Sequence, residues 1–182
     1  MGMGDITFIT GNQNKADFLA KWLGMPVAHH KLDLEELQSL DLHEVVAHKV
    51  RQAYEVLKKP VLVEDASLTF TAMGRLPGTF VRWFIEELGY DGLRALTDHL
   101  PHRQAVGRVC YGFYDGETVR FFDGEMHGQI ALEARGSGGF GFDPIFINDG
   151  FTKTRGEMTE EEYAATSYRT PAIKKLRTFL QA

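Results

Sequence analysis

The sequence predicts an α/β fold on a mixed β-sheet, and three observations carry that expectation. Val61-Leu62-Val63 is a run of β-favouring apolar residues of the kind covered on both faces of a sheet. Just upstream, Val46, Val50, Ala53, Tyr54 and Leu57 recur at helical spacing and mark an amphipathic helix. From Gln104 the period changes to two: Val109, Tyr111 and Phe113 alternate ahead of a hairpin signal at Asp115-Gly116. A β-meander set among helices makes the sheet mixed rather than purely parallel.

The elements follow in order. Ile6 to Thr10 reads as extended, Gly11-Asn12-Gln13-Asn14-Lys15 as a turn-rich loop, and Phe18, Leu19, Trp22 and Leu23 as one helical stripe. A short strand near Val27 and an acidic stretch, Asp33-Leu34-Glu35-Glu36, come before the helix that leads to Val61. Gly74-Arg75-Leu76-Pro77-Gly78 breaks the chain before a helix carrying Phe80, Trp83, Phe84 and Leu88, and Leu93, Leu96 and Leu100 mark another. After the hairpin the strand returns from Val119 to Phe122, and a second turn is expected at Asp123-Gly124 before a further strand through Ile130. Thr159 and Glu162 have capping-box spacing, and Thr170-Pro171 is expected to cap the last helix with proline at its first position. Lys174, Lys175 and Arg177 suit the negative end of that helix.

A chain of 182 residues is most economically one domain, spanning 1–182. Its 43% hydrophobic and 25% charged residues are ordinary for a soluble globular protein. The net charge of −5 argues against a protein held mainly by the phosphates of a nucleic-acid polymer. The single cysteine, Cys110, has no partner for an intramolecular disulfide and reads as a core residue rather than a nucleophile. No apolar run approaches the roughly 18 residues of a membrane span. Met1-Gly2-Met3-Gly4-Asp5 lacks the basic and apolar regions of a signal peptide, and Ile6 stands where a myristoylation pattern needs Ser or Thr. The expected location is the cytoplasm, away from membranes.

Several clusters have chemical potential. The strand at Val61 runs straight into Glu64 and Asp65, at the carboxyl edge where open α/β sheets place their ligands. Side chains alternate along a strand, so only one of these acids faces a given side. A solvated acidic turn would look the same in sequence. Thr10 to Lys15 links a strand to a helix, so backbone N–H groups, the helix N-terminus and Lys15 together form a candidate anion site, although a plain strand–helix turn also fits. It is not a Walker A loop, because the spacing and second glycine are missing. Glu36 lies in an acidic stretch that a solvated face would also explain, and Lys49 sits beside an apolar helical stripe where lysines commonly snorkel. Phe140 and Phe142 border a glycine-rich run, Gly136 to Gly141, and such aromatics either stack on a nucleobase or join the core.

The order of these pieces is more specific than any one of them. Thr10-Gly11-Asn12-x-x-Lys15, Val61-Leu62-Val63-Glu64-Asp65, Leu76-Pro77-Gly78, Phe140-Gly141-Phe142-Asp143-Pro144 and Ser167-x-Arg169 occur in the order and spacing of one family. From Ile6 to the last helix the chain resembles the inosine triphosphate pyrophosphatase (ITPase) family of nonstandard purine nucleoside triphosphate pyrophosphatases. The resemblance implies a long, twisted mixed β-sheet flanked by helices, two lobes with a central cleft, and a homodimer. It implies hydrolysis of ITP, dITP and XTP to the monophosphate and pyrophosphate with Mg2+. Carried over, Thr10, Asn12 and Lys15 would hold the triphosphate with Lys49 assisting, Glu36 would bind the metal, and Asp65 would serve as metal ligand and proton acceptor. Phe140 would stack on the base, beside Phe142, with Asp143 and Arg169 at the base-recognition end.

The chain departs from the family at the base-reading end. Tyr168 stands in place of the usual histidine of Ser-His-Arg, Tyr163 in place of a lysine, Phe142 in place of Trp or Tyr, and Ala66 follows the catalytic aspartate where Ser or Thr is common. Losing the lysine removes a positive charge from the nucleotide site. Two alternatives therefore accompany the main expectation: the same chemistry with a shifted base preference, for a pyrimidine or damaged nucleotide, or a catalytically weak nucleotide-binding protein.

Overall fold

A computed structural model of the chain describes residues 6–181; Met1–Asp5, where no leader pattern was found, and Ala182 lie outside the described residues. Seven strands share one mixed sheet. They are β1 (Thr7–Ile9), β2 (Ala28–His30), β3 (Val61–Phe70), β4 (Pro77–Gly78), β5 (Gln104–Tyr114), β6 (Arg120–Ile130) and β7 (Phe146–Asn148), in the order β2-β1-β3-β5-β6-β7 with β4 beside β3. β1 runs parallel to β2 and β3, while β4 and β7 are antiparallel to β3 and β6. The helices are α1 (Gln13–Leu23), α2 (Leu42–Leu57), α3 (Val81–Ala95), α4 (Glu160–Thr166) and α5 (Arg169–Leu180). Among the described residues no helix is long and apolar enough to cross a membrane.

The chain forms two compact units. The first comprises residues 6–65, 109–124 and 169–181, and the second residues 66–108 and 125–168. In the first unit α1 packs on α5, each burying an apolar stripe: Leu19 and Leu23 from one, Ile173 and Leu176 from the other. Below α2, Val46, Val50 and Ala53 meet Ile9, Val61, Val63 and Cys110 in one cluster. Burying a Val or Leu side chain stabilises by about 1.5–3 kcal/mol, so these apolar runs drive the assembly of the unit. The ends of its helices are set locally. Asn12 caps α1 and Gly24 ends it in the left-handed region, while Asp41 caps α2 by accepting from the His43 and Glu44 N–H groups. The hairpin at Asp115-Gly116 forms as expected, with Asp115 Oδ1 accepting from the Glu117 and Thr118 N–H groups.

In the second unit α3 carries a break at Gly89 (φ 65°), which separates the Phe84-Leu88 stripe from the stripe at Leu93. The two expected helices are thus one kinked element. The Thr159–Glu162 capping box at the start of α4 is present in both directions.

Two expectations are corrected. No turn forms at Asp123-Gly124: β6 continues to Ile130 because Phe122, Gly124, Met126, Gly128 and Ile130 alternate inward without interruption. Gly124 is also absent from the positive-φ glycines that a tight turn of this kind requires. The last helix starts at Arg169, earlier than the Thr170-Pro171 cap, so Pro171 lies inside its first turn. The first N–H groups of a helix have no intrahelical acceptor, so proline is tolerated there.

Candidate active site

In the first unit β3 delivers its two acids to different surroundings, as strand alternation requires. Glu64 is buried and Asp65 only partly so. Glu64 receives hydrogen bonds from Tyr111 Oη (2.9 Å), Arg169 Nη2 (3.2 Å) and Arg169 Nε (3.4 Å), and Lys15 Nζ stands 3.1 Å away. Burial raises the pKa of such a carboxyl, but the charges of Arg169 and Lys15 outweigh it and hold Glu64 down at about 2. Glu64 is therefore a fixed anion that ties α1, β5 and α5 to the middle of β3; the strand does not end at the two acids, as the sequence suggested, but runs on to Phe70. Tyr111 had no role in the sequence reading; its only signal was the alternation that turns it inward.

Asp65 has a different partner set. Lys49 Nζ, from the middle of α2, donates to Asp65 Oδ2 at 2.6 Å and lies 3.7 Å from Glu36 Oε1. Glu36 belongs to the irregular segment between β2 and α2, and Gln52 holds that segment on the helix. Gln52 Nε2 donates to the Glu35 carbonyl (3.0 Å), and its Oε1 accepts from the Glu35 N–H (3.1 Å). The sequence reading missed Gln52. Its i, i+3 spacing from Lys49 is the signal that both lie on one helix face.

Glu36 and Asp65 thus converge on one cationic atom, with their side chains 35% and 20% exposed. Two partly exposed carboxylates with hard oxygen donors around a point that holds positive charge fit Mg2+. Glu36 and Asp65 would hold such an ion.

The loop before α1 arranges its own polar groups. Thr10 Oγ1 accepts from the Asn12 N–H (3.0 Å), and Asn12 Oδ1 accepts from the Lys15 N–H (3.4 Å). These acceptor bonds leave the Thr10 hydroxyl proton and the Asn12 amide N–H as what the two side chains can offer an anion. Lys15 pairs with Glu64, and Lys49 with Asp65 and Glu36.

The second unit contains the remaining predicted residues, organised by one that sequence reasoning missed. Arg155 is fully buried (0% exposed). Its Nε donates to Asp143 Oδ1 (2.9 Å), and its Nη1 donates to Asn148 Oδ1 (3.0 Å) and Thr166 Oγ1 (3.2 Å). The other Asp143 oxygen accepts from the Phe140 N–H and from Tyr163 Oη, each at 2.8 Å. Asp143 therefore fixes the backbone of the Phe140 loop. Gly139 permits this closeness, since it sits at φ +73° and a Cβ there would stand 2.2 Å from Asp143 Oδ2.

The Arg155 guanidinium also lies 4.2 Å from the Tyr163 ring centroid and 5.9 Å from that of Tyr168. That guanidinium is buried and already paired with Asp143, so it supports the Tyr163 ring rather than replacing the lysine's charge. No local pattern exposes Arg155 in the sequence, because its partners Asp143, Asn148 and Thr166 sit 7 to 12 positions away on three different elements. Of the two loop aromatics, Phe142 packs inward at 4% exposure, near Phe146 and Tyr168, whereas Phe140 is only partly buried. Arg169, expected with Asp143 at the base-recognition end, is bonded to Glu64.

The model of the Ham1 family matches residues 6–179. The inosine triphosphate pyrophosphatase of Schizosaccharomyces pombe is 38% identical over 181 residues, covering 97% of this chain and 95% of that protein. The dITP/XTP pyrophosphatase of Thermococcus kodakarensis is 34% identical over 179 residues, covering 97% of each. In fold, a HAM1 protein from Coxiella burnetii superposes with a TM-score of 0.86 at 24% identity, covering 98% of this chain and 99% of that one. With a family match over nearly its whole length and relatives of this identity, the chain belongs to the Ham1 family.

Proposed function

We propose that this protein is a nucleoside triphosphate pyrophosphatase that hydrolyses the nonstandard purine nucleotides ITP, dITP and XTP to the monophosphate and pyrophosphate, with Mg2+. The observation that carries this reading is the convergence of Glu36 and Asp65 on Lys49 Nζ, at 3.7 and 2.6 Å, in a chain whose relatives are named for this activity.

The chemistry follows from the residue types. Water must attack the α-phosphorus while negative charge builds on oxygens that are already anionic. When bound, Mg2+ would supply Lewis-acid stabilisation of those oxygens. Asp65 orients the attacking water and takes its proton at a carboxylate oxygen. Lys49, now held between two acids, is the cation that turns to the phosphates, and Lys15 with the Thr10 and Asn12 donors holds the rest of the chain of phosphates by charge and hydrogen bonding. Arg169 and Lys15 keep Glu64 ionised, Tyr111 helps hold it in place, and Glu64 in turn positions Lys15. No covalent nucleophile is needed.

At the base, the Phe140 ring offers the stacking surface, worth roughly 1–3 kcal/mol per base. Asp143 and Arg155 set that loop, and Tyr163 borders it. A shifted base preference is a second reading, supported by Tyr163 Oη, which donates to Asp143 where the family carries a lysine. Measuring pyrophosphate against orthophosphate from ITP, XTP, dITP, GTP, ATP and dUTP, with and without Mg2+, separates these readings. We expect pyrophosphate, with ITP and XTP preferred. Orthophosphate as the product would overturn the reading, and a pyrimidine preference would replace it by the second.

A further inference from the structure

A second cluster in the first unit has donors of a different kind. His43 in the first turn of α2, Cys110 on β5 and Asp123 on β6 each present a ligand atom, and the three atoms lie within 4.8 Å of one another. The sequence marked Cys110 as core and Asp123 as part of a turn. Because β6 runs straight through that position, Asp123 instead faces His43, with Oδ1 2.8 Å from His43 Nε2.

The cluster is held from several sides. The His43 ring lies flat on Phe121, with centroids 4.3 Å apart and planes 4° from parallel, and its backbone N–H is fixed by Asp41 Oδ1 at 2.9 Å. Lys175 Nζ donates to the Asp123 carbonyl at 2.8 Å, which fixes the strand beneath that side chain. Cys110 is fully buried in the α2 cluster. Burial first, and then the neighbouring Asp123 carboxylate, push its thiol pKa up. A thiol is thus placed beside a carboxylate at the edge of an apolar core, while His43 and Asp123 keep side chains 49% exposed and give an ion a way in.

We propose that His43, Cys110 and Asp123 form a Zn2+ site, separate in chemistry from the Glu36 and Asp65 pair. Sulfur, imidazole nitrogen and one carboxylate oxygen are the donor types zinc takes, whereas magnesium avoids sulfur. Zinc bonds of about 2.0–2.3 Å put tetrahedral ligand atoms roughly 3.3–3.8 Å apart. The widest gap here closes by about 1 Å on that basis, which rotation of the two half-exposed side chains supplies. On binding, the thiol proton leaves to solvent, a sulfur–zinc bond forms, neutral His43 and ionised Asp123 each donate an electron pair, and water completes the fourth position. No oxidation state changes. The ion would pin the start of α2, the helix that carries Lys49, to β5 and β6.

The test is a Co2+ titration of the chelator-treated full chain, read by thiolate-to-cobalt charge-transfer absorption, followed by displacement with Zn2+. We expect one thiolate-bound ion per chain, one proton released with it at pH 7.5, displacement by Zn2+ and none by excess Mg2+. His43→Ala and Asp123→Asn alter exposed side chains, so folding is retained. Each should weaken binding by more than the roughly 10–100-fold that loss of a supporting hydrogen bond costs, and Cys110→Ser should abolish the band. A His29→Ala/His30→Ala double variant should leave it unchanged. Absence of the band in the wild-type protein, or a band that persists at equal affinity in His43→Ala and Asp123→Asn, overturns the proposal.

Discussion

Replacing Glu64 by Gln keeps the size and hydrogen-bonding outline of the side chain and removes only its charge. Arg169, whose side chain is 3% exposed, and Lys15, at 24%, then each lose this carboxylate as a partner. The magnitude comes from the carboxyl's own titration. A fall from its ordinary 4.5 to about 2 corresponds to about 3 kcal/mol of folding free energy, at roughly 1.4 kcal/mol per pH unit. That value agrees with the roughly 3–5 kcal/mol lost when one member of a buried ion pair is removed. The sign is set by the lowered pKa: this stability is complete above pH 4.5 and is lost as pH falls towards 2. Urea unfolding of wild type and Glu64→Gln, followed by tryptophan fluorescence at pH 7 and pH 3.5, measures it. We expect the variant to be less stable by about 3 kcal/mol at pH 7, with the gap narrowing by more than about 1 kcal/mol at pH 3.5. A gap under about 1 kcal/mol at pH 7, or one independent of pH, would refute the assignment of Glu64 as the buried anion.

Other substitutions probe the remaining contacts. Gln52→Ala should release the segment that carries Glu36; losing this half-buried side chain costs about 1 kcal/mol of stability, while the Mg2+ concentration for half-maximal activity should rise roughly tenfold, and an unchanged Mg2+ requirement would count against the clamp. Arg155→Lys keeps a charge but not the fork that reaches Asp143, Asn148 and Thr166, so KM for ITP should rise while kcat changes little; equal KM values would separate Arg155 from nucleotide binding. Phe140→Ala should raise KM by about 5–150-fold if stacking contributes roughly 1–3 kcal/mol, and no change in KM would remove Phe140 from the base site.

Much of this was legible in the chain because the relevant physics is local. Val61-Leu62-Val63, the Thr159–Glu162 capping box and the Asp115-Gly116 hairpin depend on residues adjacent or a few positions apart, and each formed as expected. Alternation along β3 also told correctly that Glu64 and Asp65 have different neighbours. The failures were contacts made at a distance. Asp123-Gly124 reads as a turn, but the inward alternation of Met126, Gly128 and Ile130 keeps it in the strand. Arg155 meets Asp143, Asn148 and Thr166 on three different elements, 7 to 12 positions away, so no spacing announces it. The pairing of Arg169 with Glu64 spans 105 positions, and α5 must pack on α1 before it can form.

The most direct measurement is pyrophosphate release from ITP by wild type and Asp65→Asn, each with and without Mg2+. The substitution keeps the size of the side chain and an acceptor for Lys49 while removing the carboxylate that takes the proton. We expect rapid Mg2+-dependent release by the wild-type protein and a loss of at least roughly 100-fold in kcat for the variant, the low end of what a positioned acid–base group contributes. Turnover by Asp65→Asn at near wild-type rate, or wild-type release that is indifferent to Mg2+, would contradict it.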